Sequence, residues 1–232
     1  MQAEMQQVMR TIRWLQGYAI LASIALVVLF VRNGVEEEDV LRARGLIIED
    51  EVGRERILIG APVPEAANRV RTDDARVREV WAPRFPEAYM DYYQDYSHDT
   101  NGMLILSEDG FDRLVVGDPT PDPNIGRRIA PATGMVINDD QGFERSGYGV
   151  LAVNGGYNVG LGLDTDRIAE GLSLVLQDDG PHGILVGTPA DGIFLGTAPA
   201  GHAWTGLEEE FSGLLARRDG EIVHQLNLAA GN

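Results

Sequence analysis

One pattern recurs four times in this chain: an apolar run, an acidic turn that ends in glycine, and a second apolar run. The four copies read RGLIIEDEVGRERILIG, NGMLILSEDGFDRLVVG, TGMVINDDQGFERSGYG and EGLSLVLQDDGPHGILVG. In each copy a further glycine follows the turn glycine after seven residues. Because glycine readily adopts the positive φ that tight turns require, each copy predicts a β-hairpin. The predicted structural turn glycines are Gly53, Gly110, Gly142 and Gly180.

Two further hairpins are predicted by turn dipeptides between apolar runs, at Asn154-Gly155 and at Asp219-Gly220. The first glycines of the four copies lie 57, 32 and 37 residues apart, and this irregular spacing argues against a strict solenoid. The predicted fold class is mainly β: an antiparallel hairpin-repeat sheet or barrel-like domain on one N-terminal transmembrane helix. Three copies also carry an arginine three residues after the turn glycine, and we expect it to pair with the turn carboxylates: Arg56, Arg113 and Arg145.

Residues 14–31 form an uncharged, mostly apolar run of 18, WLQGYAILASIALVVLFV. A helix of this length can cross the hydrocarbon core of a lipid bilayer, which is about 30 Å thick. Trp14 and Tyr18 lie where interfacial aromatic residues belong, and the small residues Ala22 and Ala25 would allow another helix to pack closely. The run therefore predicts a single membrane-spanning helix with lipid and protein neighbours.

The charges on either side of this run predict its orientation. Arg10 and Arg13 precede it, whereas the acidic residues 36–39 follow it. By the positive-inside rule, the N-terminus is cytoplasmic, and the C-terminal domain lies in the periplasm of a bacterium with the helix in its inner membrane. A cleavable signal peptide is the alternative, but the run ends LVVLFVRNG, without the small residues of a cleavage site.

These features divide the chain into five predicted segments. They are a cytoplasmic N-terminus at 1–13, a transmembrane helix at 14–31, an acidic linker at 32–40, a hairpin-repeat domain at 41–200 with an insertion at about 61–100, and a C-terminal segment with a final hairpin at 201–232.

The insertion is rich in aromatic residues. Its tyrosines follow helical spacing and would form one face of a short helix: Tyr89, Tyr92, Tyr93 and Tyr96. This face, together with Trp81, is a candidate contact with a partner protein. The alternative is that the same face packs on the sheet.

Composition narrows the range of functions. The formal charge is −17, so the surface should repel nucleic acid. The chain has no lysine and no cysteine, which removes Schiff-base, P-loop and catalytic-thiol chemistry, and its four histidines lack the spacing of a zinc site. We predict no catalytic residue, no metal site and no cofactor. Ca²⁺ bound by the acidic turns is an alternative to simple turn formation, although no turn matches a twelve-residue calcium loop.

The segments NGMLILSEDGFDRLVVGDPTPDPNIGRRIAPATGMVINDDQGFERSGYGVL and GLGLDTDRIAEGLSLVLQDDG carry a GL-x-ΦxD-x-x-G-x-x-R motif. In this motif the chain resembles a family of uncharacterised bacterial proteins with one N-terminal membrane helix. The resemblance covers about residues 40 to 190, implies the same hairpin fold, and brings no active site with it.

We therefore expect a non-catalytic accessory or scaffolding subunit of a larger inner-membrane complex, photosynthetic (reaction centre or antenna) or respiratory. Its partners would be integral membrane subunits, and the acidic face could attract a basic periplasmic protein such as cytochrome c. The alternative is a periplasmic module that binds carbohydrate or another ligand on its tyrosine-rich insertion.

Overall fold

The computed structural model describes residues 2–34, 41–93, 99–122, 131–153, 155–166 and 171–228. It separates into two compact units, residues 1–43 and residues 44–232.

The first unit is one long helix, α1, Gln2–Gly34. Its segment Met5–Leu29 is long and apolar enough to cross a membrane. The helix begins twelve residues before the predicted span at 14–31. The polar residues that precede this span are also helical. Trp14 and Tyr18 are both exposed on this helix.

The second unit is one antiparallel sheet of twelve strands, in which every strand pairs with its neighbours in the sequence. The fold class predicted from the hairpin pattern is confirmed, and of the two forms that the pattern allowed, the sheet is open and not closed into a barrel. The strands are β1 Gly45–Glu49, β2 Glu55–Gly60, β3 Asn101–Leu106, β4 Asp112–Asp118, β5 Ala132–Asn138, β6 Glu144–Val153, β7 Gly156–Leu163, β8 Leu172–Gln177, β9 His182–Gly187, β10 Gly192–Ala198, β11 Phe211–Arg218 and β12 Glu221–Asn227.

The first three copies of the sequence pattern fold into equivalent hairpins, β1–β2, β3–β4 and β5–β6. Each has its turn glycine at φ of about +80° and a register shift beside the turn. In the third hairpin, the Asp139 carboxylate accepts hydrogen bonds from the backbone N–H groups of Gln141 and Phe143, at 2.9 and 3.0 Å. Because its carboxylate accepts hydrogen bonds from backbone N–H groups of the turn, the acidic residue that recurs at this position has a structural role.

The fourth copy differs from the first three. It forms β8–β9, and the additional strand β7 precedes it, so its turn lies at the opposite end of the sheet. Gly180 lies in that turn but is not among the glycines with positive φ. The predicted arginine–carboxylate pairs form in the first and third hairpins, between Arg56 and Asp50 and between Arg145 and Asp139.

Side chains alternate between the two faces of a strand, so the register assigns each residue to a face. The face that carries the buried core is called the inner face. Its central row contains Leu58, Leu104, Val115, Val136, Leu185, Phe194 and Leu215, all of them buried.

Two segments outside the strands cover opposite parts of the inner face. The insertion between β2 and β3 covers the N-terminal strands, where Val63 and Ala66 pack with Leu58 and its neighbours of the central row. Its helices are α2, Asp74–Val80, and α3, Tyr89–Tyr93, and their cluster packs with Phe111 and Phe143 beside the turns of the second and third hairpins. The connection between β10 and β11 covers the C-terminal strands, where Trp204 and Leu207 pack on Phe194 and its neighbours. The inner face of the middle strands lies between these two covers.

A buried charge cluster ties the insertion to the sheet. Arg69 donates two hydrogen bonds to the Asp112 carboxylate at 2.9 and 2.6 Å, and Arg71 donates one at 3.1 Å. Burial by itself would raise the pKa of Asp112, but the two guanidinium groups outweigh burial and lower the pKa to about 2. The ionised form of Asp112 therefore stabilises the folded state.

We predict that Asp112→Asn lowers the free energy of unfolding by about 3–5 kcal/mol at pH 7, since it removes the charge of a carboxylate that two buried guanidinium groups contact. The folded-state pKa of about 2 lies below the ordinary value of 3.8. The native chain should thus hold about 2 kcal/mol of extra stability above pH 4 and lose it as the pH falls through 2.

Urea denaturation of the detergent-solubilised full chain between pH 7 and pH 2 measures both effects. Asp140→Asn, at an exposed turn, is the control. An unchanged pH dependence in Asp112→Asn would contradict this assignment.

A row of glycines crosses the inner face two residues from the central row. Ten of the twelve strands contribute a glycine to it, and they are Gly45, Gly60, Gly102, Gly117, Gly134, Gly149, Gly160, Gly183, Gly196 and Gly213. A Cβ atom on Gly134 would lie 2.2 Å from the Tyr148 carbonyl oxygen and 2.7 Å from the Gly149 Cα. Neighbouring backbones therefore approach more closely here than side chains would allow.

Gly160 is an exception in this row. A Cβ atom there would meet only the Leu174 carbonyl oxygen at 3.5 Å and a Val175 methyl at 3.6 Å, which are ordinary contacts. We predict that Gly134→Ala destabilises the fold by about 1–3 kcal/mol through overpacking, whereas Gly160→Ala has little effect. Paired thermal and urea melts of the two variants test this, and equal destabilisation would contradict it.

Candidate functional site

The face opposite the core, called the outer face, is apolar across the whole sheet. One row of registered residues takes one side chain from every strand, and all twelve are apolar: Leu46, Ile59, Met103, Val116, Met135, Tyr148, Leu161, Leu174, Ile184, Leu195, Leu214 and Leu226. Nine of these side chains are between 36% and 55% exposed.

A second outer row runs parallel to the first on the same face. It contains apolar residues at ten of its twelve positions, interrupted by Ser146 on β6 and His224 on β12. The apolar members are Ile48, Ile57, Ile105, Leu114, Ile137, Leu163, Leu172, Val186, Ile193 and Ala216. The two outer rows together form a continuous apolar band.

The size of this band exceeds what an isolated soluble domain usually exposes. At about 4.8 Å between strands, eleven steps span roughly 53 Å, and two rows of side chains cover about 14 Å along the strands. The resulting area of roughly 700 Å² is above the usual 300–600 Å² of the largest patch on a monomer, and it approaches the roughly 800 Å² that one partner buries in a standard interface.

Three of the aromatic residues predicted as partner contacts are buried inside the insertion. Trp81, Tyr89 and Tyr93 are buried in one cluster with Val70, Val77 and Met90. The rings of Phe85 and Tyr89 stack at 4.3 Å, and the Trp81 indole N–H donates to the Gln141 carbonyl at 2.7 Å. These three side chains are thus buried in a cluster that packs with Phe111 and Phe143, and their contact with a partner protein stays a prediction.

The other candidate contact residues are exposed, half-buried or outside the described residues. Tyr92 is 68% exposed and is the one tyrosine of α3 available at the surface. Tyr96 lies outside the described residues. On α1, Ala25 is exposed and Ala22 is half-buried, and their contact with lipid or with other subunits stays a prediction.

The described residues include no group of three or more His, Asp or Glu side chains that could hold a metal ion. The acidic turns use their carboxylates on backbone N–H groups and arginines, as at Asp50, whose side chain accepts from the Val52 and Arg54 N–H groups at 3.1 and 3.0 Å. The prediction of no metal site is not tested by this, and calcium binding in these turns stays its alternative.

Comparison with known proteins adds no assignment: no protein-family model, no curated protein and no solved structure matches this chain.

The apolar character of the outer face is also visible in the sequence of the strands. Several strands read as continuous apolar runs, such as LII in β1, MLIL in β3 and LVV in β4. A strand with one face in water alternates apolar and polar residues, whereas a continuous run is typical of a strand covered on both faces. These runs are therefore of the type found in strands that are covered on both faces.

Adjacent residues on β10 test the assignment of the two faces. Phe194 is 1% exposed on the inner face and Leu195 is 50% exposed on the outer face. In the detergent-solubilised chain, Phe194→Ala should lower the free energy of unfolding by about 3–5 kcal/mol, and Leu195→Ala by about 1 kcal/mol or less. Equal losses in urea denaturation would mean that Leu195 is part of a packed core.

Proposed function

We propose that this chain is a non-catalytic, membrane-anchored accessory subunit of a larger inner-membrane complex. In this proposal α1 lies in the bilayer and the sheet covers neighbouring subunits on the periplasmic side. The observation that carries it is the apolar band of the outer face, which crosses all twelve strands and has no cover among the described residues of the second unit. A photosynthetic or respiratory assembly would offer such neighbours.

The proposed occupant of the outer face is an apolar surface of another subunit and not a second copy of this chain. Two copies would each bring a formal charge of −17, and their repulsion opposes face-to-face pairing. A different subunit with a neutral or basic rim has no such penalty. It would also be held at the same membrane as α1, which raises its effective concentration near the sheet.

Acidic turns border this surface at one end of the sheet. Glu108 and Asp109 on the β3–β4 turn and Asp140 on the β5–β6 turn are exposed. They would complement a basic rim on the partner, and the same charges would attract a basic periplasmic protein such as a cytochrome c. Such charges affect association rate and specificity more than they affect affinity.

Purification of the tagged full chain from native membranes in a mild detergent tests the proposal. We expect other membrane proteins to co-purify at fixed stoichiometry. The triple variant Leu174→Thr, Ile184→Thr and Leu195→Thr should lose them while keeping its fold, because threonine suits strands but removes apolar contact. Recovery of the native chain alone would overturn the proposal.

A control with three substitutions on the acidic turns separates apolar contact from charge. Glu108→Gln, Asp109→Asn and Asp140→Asn should retain the partners at physiological salt and change mainly the dependence of binding on ionic strength. Full retention of the partners by the threonine variant would exclude the outer face as the interface.

A further inference from the structure

The inner face has an open groove between its two covered regions. Where the central row crosses β6, β7 and β8, the large apolar residues give way to Gly147, Gly162 and Ser173. In the glycine row, Gly149 and Gly160 lie beside them. Four glycines on two adjacent strands therefore form a floor of bare backbone.

This floor belongs to a half-open cavity of about 610 Å³, within the roughly 300–1,000 Å³ typical of small-molecule sites. Polar side chains line its two ends: Glu144 and Asp164 at one, Asn158 and Gln177 at the other, while Trp204 lines a wall. A Cβ atom on Gly147 would lie 2.7 Å from the Glu144 carboxylate, so this carboxylate leans over the floor.

Ser173 gives independent evidence for a ligand. The residue is 3% exposed and lines the cavity, and its hydroxyl has no hydrogen-bond partner among the described residues. Leaving a buried hydroxyl unsatisfied costs about 1–3 kcal/mol, which a bound hydroxyl or carbonyl group would recover.

Gly160 supports the same conclusion. Its backbone has room for a side chain, unlike that of Gly134, so the close packing of the strands does not require glycine there. Any side chain at this inner-face position would project over the floor. Glycine inside a strand often marks a position where a ligand approaches the backbone.

The lining determines the class of ligand. It has amide, hydroxyl and carboxylate groups and an indole, but no arginine or histidine among the described residues that line it. This disfavours an anion. Carboxylates and amides are suited to the hydroxyl groups of a sugar, and an indole is suited to the apolar face of a sugar ring. We propose that the groove binds a neutral oligosaccharide.

The test uses the full chain in a detergent without a sugar headgroup. Cellohexaose, maltohexaose, laminarihexaose and chitohexaose are titrated at millimolar concentrations and followed by calorimetry and tryptophan fluorescence. We expect at least one to bind with a stoichiometry of one. Failure of all four to bind would overturn the proposal.

Two variants locate the site. Ser173→Ala should weaken binding by roughly 2–10-fold, the value of one neutral hydrogen bond, while the melting temperature stays equal or rises because an unsatisfied hydroxyl is removed. Gly160→Leu should abolish binding by filling the groove.

Gly45→Leu is the matched control, since Gly45 lies in the same row on β1, where an added Cβ makes contacts of 3.4 Å or more. It should bind as the native chain does. Binding that survives Gly160→Leu would exclude the groove. Neither outcome bears on the outer face, which these substitutions leave unchanged.

Discussion

The whole sheet depends on an unbroken antiparallel register. Every strand pairs with the strand before it and the strand after it, so a residue type that recurs at one position in each hairpin becomes a line across the molecule. Four such lines determine the properties of the domain: the buried central row, the row of glycines beside it, and the two apolar rows of the outer face. A shift of one residue in any pair would exchange the inner and outer side chains of all later strands.

A single sheet can bury only the face that other segments cover. Here the sequence supplies two covers, the insertion between β2 and β3 and the connection between β10 and β11. The first is fixed by the Arg69–Asp112–Arg71 cluster and by the contact of Trp81 with the third hairpin turn. Among the described residues, the groove over β6, β7 and β8 lies between these two covers, and Trp204 of the second cover lines one of its walls.

Local chemistry explains which features could be predicted from the sequence. Gly53, Gly110 and Gly142 have the positive φ that the turn pattern predicts, since turn geometry depends on a few adjacent residues. The reversed direction of the fourth hairpin depends on the additional strand β7, which the alignment of copies did not count. The burial of Tyr89 and Tyr93 depends on where the insertion folds back, and helical spacing describes a face without saying what it meets. The groove forms where glycines of different strands lie side by side. It could not be predicted from the sequence, because only the strand register shows which glycines are neighbours.

The consecutive order of the strands also bears on how the domain forms. Nearly all of its pairings join segments that are close in sequence, so closing each hairpin costs little chain entropy, and each completed hairpin provides an edge for the next one. Such an array resembles a repeat protein, in which stability is the sum of units and of the interfaces between neighbours. The sheet can therefore grow during synthesis from β1 towards β12. In such an array a whole hairpin can be added or removed without reversing the other strands, whereas a single additional strand, such as β7, reverses the direction of all later hairpins.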